Sequence, residues 1–383
     1  MSGGIKLGKI FGIEITLDYS WFIIFAIITF ALSFSLFPQL IHGLSTGAYI
    51  AIGVVTSILF FASVLFHELM HSVVAMRNGI KIEGIRLMIF GGVSRITEEP
   101  PTPGIEFKMA IAGPLSSIVL GVIFVVVYVV GLRLGFGPFV SVSAFWLGYV
   151  NIILGVFNLL PGFPLDGGRV LRSIVWYFTG NLMRSTGIAS GIGRGIAYLM
   201  IFVGLLGPFL GNITFVWFIL LGWYLLQAAR AEYQEVVYHE ALEGVKVGEI
   251  MTKDPVTVSP NLNIADMVRD YFAQHNWIAY PVIEGGRVKG MVTLKSIENL
   301  PRSQWATIRV GDVMKPLSAN IVTSPDADVF GILPKLVTRA EGRMLVLKDD
   351  ELVGFLTETD VSRAVVRRLH LEEGEGGRPA STV

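Results

Sequence analysis

Cysteine is absent from the 383-residue chain, which excludes disulfide bonds and thiolate metal ligands. Charge is also scarce: Asp, Glu, Lys and Arg make up 16% of the residues and sum to no net charge at pH 7. This balance gives no sign of a nucleic-acid partner. Hydrophobic residues reach 52% and the mean hydropathy is +0.63, values typical of a protein that crosses the membrane several times.

Long apolar runs are concentrated in residues 1–240, whereas residues 241–383 have the mixed, charged composition of a soluble domain. We place the boundary between these halves in Arg230–Gly244. Because about 20 apolar residues cross a bilayer, the first half is predicted to contain six spans. They are Trp21–Pro38, Ala48–Met76, Lys108–Leu132, Ser143–Leu160, Ser190–Leu206 and Ile213–Ala229.

Basic residues indicate the orientation of these spans. Three segments would lie on the side of the termini, and together they contain eleven Lys and Arg residues; the three opposite loops contain only Arg133. The segments are 1–19, 77–108 and 161–195, and the opposite loops are 39–47, 131–139 and 207–212. The positive-inside rule therefore predicts cytoplasmic termini and a cytoplasmic C-terminal half.

The segment His67-Glu68-Leu69-Met70-His71 lies in the second predicted span, after a stretch from Tyr19 to Phe66 without Asp, Glu, Lys or Arg. Histidines at positions i and i+4 share one helical face and suit a single Zn²⁺, with the Glu directed at the water that the metal activates. A lone His on an apolar helix is usually a packed residue. Here the neighbours are Leu, Val, Phe and Ala, and unpaired polar groups are costly in hydrocarbon. The motif therefore predicts a zinc hydrolase within the membrane.

A catalytic zinc usually takes three protein ligands and leaves one position for water. Asp166 is the only acidic residue from 107 to 231, and it lies where prolines and glycines break the fourth span. Broken helices at membrane depth are tolerated where they line a cavity or are buried in protein. His42 falls in an outer loop, too far from the motif. Asp166 is the predicted third ligand, although it also suits the N-cap of a helix at 167–178.

Residues 80–96, between the second and third spans, alternate apolar and polar side chains and contain Phe90-Gly91-Gly92-Val93. This pattern predicts short strands in a small hairpin-like sheet on the cytoplasmic side. Glycines permit close backbone approach, so an exposed edge there would suit pairing with an extended peptide. An ordinary loop is the alternative.

These motifs together resemble the site-2 protease family of intramembrane zinc metalloproteases. The resemblance rests on the His67–His71 motif in one span and on Asn158, Pro161 and Leu165-Asp166-Gly167 in a later one; Gly113-Pro114 and Phe90-Gly91-Gly92 also resemble that family. It covers most of residues 1–230.

The resemblance implies a set of roles for these residues. His67, His71 and Asp166 would bind one zinc per chain, Glu68 would be the general base, and Asn158 would hold the substrate carbonyl or the oxyanion. The implied substrate is a transmembrane segment of another protein. That segment would have to unwind locally, because helical hydrogen bonds shield its peptide bonds.

The C-terminal half contains an internal repeat. The segment Val247–Met251 (VGEIM) recurs as Val310–Met314 (VGDVM), and Gly290–Thr293 (GMVT) recurs as Gly354–Thr357 (GFLT). Each repeat is predicted as a strand, a helix, two strands and a helix.

This half resembles a pair of CBS domains, with repeat 1 at 245–299, repeat 2 at 308–371 and a disordered tail at 372–383. Such pairs often bind adenosyl nucleotides (ATP, ADP or AMP) through a Gly-x-x-Thr-x-x-Asp element. The second repeat keeps this element as Gly354, Thr357 and Asp360, whereas the first has Ser296 in place of the Asp. The resemblance implies one nucleotide site, at Thr357 and Asp360, and a homodimer through the CBS domains; a dimerisation module without ligand is the alternative.

The predicted fold is a membrane bundle of about six helices, with a small β-sheet near the active site, followed by a soluble α/β CBS pair. The predicted function is zinc-dependent hydrolysis of peptide bonds in transmembrane segments, regulated by a nucleotide at the CBS pair. A CBS-gated transporter and a non-catalytic scaffold for a client helix are the other hypotheses. A transporter has no need of His67, Glu68, His71 and Asp166 together, and a scaffold has no need of a complete catalytic set.

Overall fold

The fold comes from a computed structural model, which describes residues 4–89, 91–96, 99–275 and 277–375, without the side chains of 95, 96, 210 and 371–375. The chain divides into two compact units, Met1–Gln234 and Glu235–Val383. The division falls within the stretch 230–244, inside a continuous helix rather than in a loop.

The described residues contain six helices long and apolar enough to cross a membrane, as predicted. The first span, Tyr19–Leu40, consists of α1 (Tyr19–Ala31), a π-helical segment (Leu32–Leu36) and α2 (Phe37–Leu40). The next three are α3 (Thr46–Arg77), α4 (Pro103–Leu134) and α5 (Pro138–Asn158). After a short helix, α6 (Asp166–Thr179), come α7 (Leu182–Leu206), 3-10 turns at Pro208–Leu210 and Ile213–Phe215, and α8 (Val216–Leu242).

All six spans extend beyond at least one predicted limit. The third begins at Pro103 rather than Lys108, the fourth at Pro138 rather than Ser143 and the fifth at Leu182 rather than Ser190, while the sixth continues to Leu242. Side-chain caps explain the early starts of the third and fifth spans, because Thr102 Oγ1 accepts from the Ile105 N–H (3.4 Å) and Asn181 Oδ1 accepts from the Arg184 N–H (2.6 Å). Hydropathy detects the apolar part of a helix, whereas the caps mark its true end.

A four-stranded sheet lies against α3. Its order is β1-β2-β3-β4, from β1 (Gly4–Ile10), β2 (Ile13–Asp18), β3 (Ile82–Met88) and β4 (Gly91–Ile96). The two hairpins are antiparallel, and β2 and β3 are parallel. The strands predicted within 80–96 are therefore confirmed, while Phe90 lies outside the described residues. Strands β1 and β2 were not predicted.

The sheet is amphipathic, and its apolar side chains fix its position. Ile13, Ile15 and Leu17 alternate along β2 and are buried, as are Ile85 and Leu87 on β3. All five pack with residues of α3 in one apolar cluster. This packing leaves β4 at the edge of the sheet, beside the helix that carries the histidine motif.

The second unit contains two small sheets, ordered β5-β11-β10-β9 and β6-β7-β8. The first repeat comprises α9 (Val247–Ile250), β5 (Thr252–Lys253), α10 (Ile264–Met267), a π-helical segment (Val268–Phe272), β6 (Ala279–Glu284), β7 (Arg287–Thr293) and α11 (Leu294–Ile297), with a 3-10 turn at Arg302–Gln304. The second comprises α12 (Val310–Val313), β8 (Lys315–Pro316), β9 (Val322–Thr323), α13 (Val329–Thr338), β10 (Arg343–Lys348), β11 (Glu351–Thr357) and α14 (Glu358–Glu375).

The two repeats exchange their first strands. β5 of the first repeat pairs with β11 of the second, and β8 of the second repeat pairs with β7 of the first. This exchange joins the repeats into one unit. Helix α14 ends at Glu375, within the segment 372–383 predicted as a disordered tail, and residues 376–383 lie outside the described residues.

Candidate metal centre

Three side chains from two helices meet in the first unit. His67 and His71 lie one turn apart on α3, and Asp166 is the first residue of α6. Asp166 Oδ2 lies 3.1 Å from His67 Nε2 and 3.2 Å from His71 Nε2, and the two Nε2 atoms are 3.2 Å apart. Within the described residues, this is the only group of three His, Cys, Asp or Glu side chains with the spacing of a metal site.

The other nitrogen of each imidazole is held by α4. His71 Nδ1 lies 2.7 Å from the carbonyl oxygen of Met109, and His67 Nδ1 lies 2.9 Å from Ser117 Oγ. A carbonyl oxygen only accepts, so Nδ1 of His71 donates, and Nε2 is the nitrogen that faces Asp166. Such partners fix the tautomer and ring orientation of metal-binding histidines.

The spacing of the three atoms fits a zinc ion. Bonds of about 2.0–2.1 Å at tetrahedral angles place neighbouring ligand atoms about 3.3 Å apart, close to the observed 3.1–3.2 Å. Both imidazoles are buried, at 4% and 8% exposure. A Cβ at Gly113 would lie 2.7 Å from His67 Nε2 and closer still to His71 Nε2, so glycine leaves the space that the imidazoles occupy.

The loop before α6 places Asp166. Leu165 rather than Asp166 occupies the N-cap position of α6, so the N-cap alternative for Asp166 is wrong. The Phe163 N–H donates to the Ala189 carbonyl of α7 (3.2 Å), and the Phe163–Pro164 peptide bond is cis. A side chain on Gly193 of α7 would collide with the Phe163 backbone. The break predicted after the fourth span is thus packed in protein, as irregular backbone in a membrane must be.

Glu68 lies between the ligand group and the sheet. It interacts electrostatically with His67, His71 and Asp166. Ser94 of β4 donates its hydroxyl to Glu68 Oε2 (3.1 Å). A Cβ on Gly92 of β4 would lie 2.9 Å from the Glu68 carboxyl carbon, so the strand backbone approaches this carboxylate closely.

Asn158 occupies the last turn of α5, just before the break. Its Nδ2 donates to the Leu154 carbonyl one turn earlier (2.9 Å). The hydrogen bond found for this side chain therefore stays within its own helix, whereas the structure brings His67, His71 and Asp166 into direct contact.

Sequence reasoning missed the partners Ser94, Met109 and Ser117. Met109, Gly113 and Ser117 follow one another at four-residue spacing along α4, so Met109 and Ser117 share a helical face with Gly113 of the Gly113-Pro114 pair. That periodicity is the available signal. Ser94 has no comparable signal, because its contact with Glu68 depends on how the sheet lies on α3.

In the second unit, a cavity of about 420 Å³ contains both residues predicted to bind a nucleotide. Its lining includes Thr357, Asp360, Trp277, Arg343 and Arg363, contributed by both repeats. Trp277 offers an exposed aromatic ring, and the two arginines offer positive charge.

An acidic residue at this cavity, Glu341, is compensated by lysines. A hydrogen bond from Lys315 lowers the pKa of Glu341, and Lys295 adds to the effect. The Lys315 Nζ to Glu341 Oε2 distance is 2.5 Å. The carboxylate therefore stays ionised with its charge balanced, which reduces its repulsion of an anion.

The two repeats cap their last helices in parallel ways. The Thr357 N–H and hydroxyl both donate to Asp360 Oδ2, at 3.0 and 2.7 Å. In the first repeat the Thr293 N–H donates to Ser296 Oγ at 3.4 Å, and the Ser296 N–H returns a bond to Thr293 Oγ1. Serine reproduces the cap but has no second oxygen, whereas Asp360 keeps Oδ1 for another partner.

Comparison with known proteins identifies both halves. The model for peptidase family M50 matches residues 55–138 and 137–202, and the CBS domain model matches 247–300 and 310–367. Zinc metalloprotease MJ0392 of Methanocaldococcus jannaschii is 33% identical over 366 residues, covering 95% of this chain and 97% of the relative. Rip3 of Mycobacterium tuberculosis, provisionally designated a zinc metalloprotease, is 33% identical over 371 residues, covering 95% and 93%. The solved site-2 protease from M. jannaschii is 33% identical and covers 60% of this chain and 95% of its own, with a TM-score of 0.42.

Gly113→Ala tests the packing of the ligand group. The added methyl would collide with both imidazoles, so we expect zinc affinity to fall about 10- to 100-fold, as for other changes that misorient metal ligands. Zinc binding would be measured by chelator competition on the purified chain. Gly104→Ala is the matched control on α4, because a Cβ there meets nothing within 4 Å. Equal affinities in the two variants would contradict the geometry.

Proposed function

The chain belongs to peptidase family M50, and we propose that this zinc metalloprotease hydrolyses peptide bonds in the membrane-spanning segments of other proteins. The observation that carries the proposal is the meeting of His67, His71 and Asp166 beside Glu68, within a bundle of six potential membrane spans. The same observation disfavours a transporter, because neither a gate nor a permeation path requires three ligand atoms at tetrahedral spacing with a carboxylate next to them.

The chain would supply base catalysis through Glu68. His67, His71 and Asp166 would hold the zinc ion, which would supply a lowered pKa of water, towards about 7, and polarisation of the scissile carbonyl. Glu68 accepts the proton of the attacking water and passes it to the leaving amine. The Ser94 hydroxyl holds Glu68 Oε2, which leaves Oε1 to exchange the proton.

Asn158 would stabilise the oxyanion that forms on the substrate carbonyl. One N–H of its amide donates to the Leu154 carbonyl. An amide group has two N–H donors, so the second is available to a substrate. Its position at the end of α5, where the chain breaks towards Asp166, supports this role.

Substrate would bind in extended form along β4. This strand lies at the edge of the sheet, and its Gly92 and Ser94 adjoin Glu68. An edge strand presents unpaired backbone groups that hydrogen-bond to an added strand. Pairing of this kind would hold a locally unwound segment beside the base.

The remaining features support regulation from the cytoplasm. The excess of basic residues in 1–19, 77–108 and 161–195 supports a cytoplasmic location for both termini and the CBS pair. The cavity at Thr357 and Asp360 would take an adenosyl nucleotide, with Asp360 Oδ1 on the ribose and Arg343 or Arg363 near phosphate. The CBS pair would also form a homodimer.

Glu68→Gln separates metal binding from catalysis. We expect the variant to keep its zinc and to lose cleavage by about 10²- to 10⁴-fold, the usual contribution of general acid–base catalysis. The assay would use a single-pass reporter whose transmembrane segment the parent chain cleaves, with zinc content measured in parallel. Glu83→Gln, a carboxylate of β3, is the control. Parent-like cleavage by Glu68→Gln would remove Glu68 as the base.

Because the chain has no cysteine, single-cysteine crosslinking tests pairing along β4 cleanly. In the Glu68→Gln background, Val93→Cys (48% exposed) should form a disulfide with a cysteine placed near the scissile bond of the same reporter. Leu7→Cys, on the opposite edge strand β1 and 58% exposed, should not. Equal crosslinking at both edges, or at neither, would contradict the proposed mode of binding.

Asp360→Ser gives the second repeat the cap of the first. The cap should persist and the melting temperature should stay the same, while AMP binding weakens about 10- to 100-fold, as for loss of a hydrogen bond to a charged group worth about 1.5–3 kcal/mol. Equilibrium dialysis with labelled AMP measures this, and Ser296→Ala in the first repeat is the control. Unchanged affinity in Asp360→Ser, or no binding by the parent, would contradict a nucleotide site there.

A further inference from the structure

A buried ion pair joins α4 to α6 near the ligand group. Glu106 of α4 is 0% exposed and Arg172 of α6 is 4% exposed. Arg172 Nε donates to Glu106 Oε1 at 2.6 Å, and Arg172 Nη2 contacts the same oxygen. Arg169 Nε lies 3.9 Å from this oxygen, whereas Glu106 Oε2 has no hydrogen-bond partner among the described residues. The proposed catalytic steps use none of these groups.

Arg172 lies on α6, the helix that begins with Asp166. Arg172 follows Asp166 by six residues in α6, which corresponds to about 9 Å along the helix. Its guanidinium carbon also lies 5.2 Å from the ring centre of Phe163, in the loop that leads into Asp166. Arg172 therefore contacts both the loop before Asp166 and, through Glu106, helix α4.

Glu106 lies on α4, the helix that orients the two histidines. Glu106 precedes Met109 by three residues, and Gly113 and Ser117 follow at four-residue spacing, so all four share one face of α4. Glu106 forms the ion pair, and the Met109 carbonyl accepts from His71. Gly113 leaves space for both imidazole rings, and the Ser117 hydroxyl contacts His67. One face of α4 thus orients the two imidazoles directly and contacts α6 through Glu106.

Packing alone would not require charge at this contact. Replacing a buried ion pair by apolar side chains of similar volume is often neutral or stabilising, so such pairs are poor sources of stability. What a guanidinium and a carboxylate add is direction, since their hydrogen bonds hold only one register of two helices. A small slide of α6 would move Asp166 away from the imidazoles.

From these contacts we propose that Glu106 and Arg172 are positioning residues, which hold α6 in the register that brings Asp166 to His67 and His71. The inference rests on the proposed ligand set. It predicts that the pair affects metal binding independently of its effect on folding.

The test is the double variant Glu106→Met/Arg172→Met, which keeps apolar volume and leaves no buried charge. Its melting temperature in detergent should equal that of the full-length parent, while its zinc affinity, measured by chelator competition, should fall about tenfold, as for loss of an outer-shell partner. The visible absorption bands of the Co²⁺-substituted chain should change as well, because the ligand geometry changes. Parent-like affinity and parent-like Co²⁺ bands would overturn the proposal.

A second variant keeps the test decisive if the double variant does not fold. Arg172→Lys retains the positive charge but loses the forked geometry of the guanidinium, so it should fold and still bind zinc several-fold more weakly. Unchanged zinc affinity would overturn the proposal.

Arg86→Met is the matched control, since Arg86 pairs with Asp18 at 3.7 Å on the sheet. Zinc binding by the parent and by His71→Ala tests the proposed ligand set separately from the positioning role of Glu106 and Arg172. Failure of the parent to bind zinc, or no loss in His71→Ala, would instead defeat the proposed ligand set.

Discussion

Polar groups inside a membrane bundle must be satisfied by the protein, and this constraint governs the site. His67, His71, Glu68 and Asp166 lie in a unit whose surroundings are mainly Leu, Val, Ile and Phe. Unpartnered, each would cost several kcal/mol, about 2.5–3.5 kcal/mol for an ionised group at the centre of a span on insertion scales. The structure therefore surrounds them with partners: Met109 and Ser117 for the imidazoles and Ser94 for Glu68.

These partners explain the architecture of the first unit. Helix α4 runs past α3 and presents a face of small or polar groups to it, so the imidazoles are oriented without a bulky neighbour at Gly113. The sheet packs its apolar side on α3 and delivers β4 to Glu68. The break before α6 then places Asp166 opposite the two histidines. Each of these elements thus contributes at least one contact to the site.

The sequence predicted the parts of this site that depend on the local spacing of residues or on the scarcity of acidic residues in the membrane half. Two histidines four residues apart share a helical face, and Asp166 was the one acid in a long apolar region. It did not predict β1 and β2. It also did not predict the Ser94 contact, the Glu106–Arg172 pair or the exchange of β5 and β8, which all join residues distant in the chain. The alternation at Ile13, Ile15 and Leu17 was a usable strand signal, whereas long-range pairing leaves no such trace.

The central claim, that one zinc is held by two residues of α3 and one of α6, is tested most directly by metal content. The purified chain, supplied with zinc after folding, would be compared with Asp166→Ala and His42→Ala by mass spectrometry of metal and protein. The account predicts one zinc per chain in the parent and in His42→Ala, and a clear loss in Asp166→Ala. A parent without zinc, or an Asp166→Ala chain that retains it fully, would contradict the account.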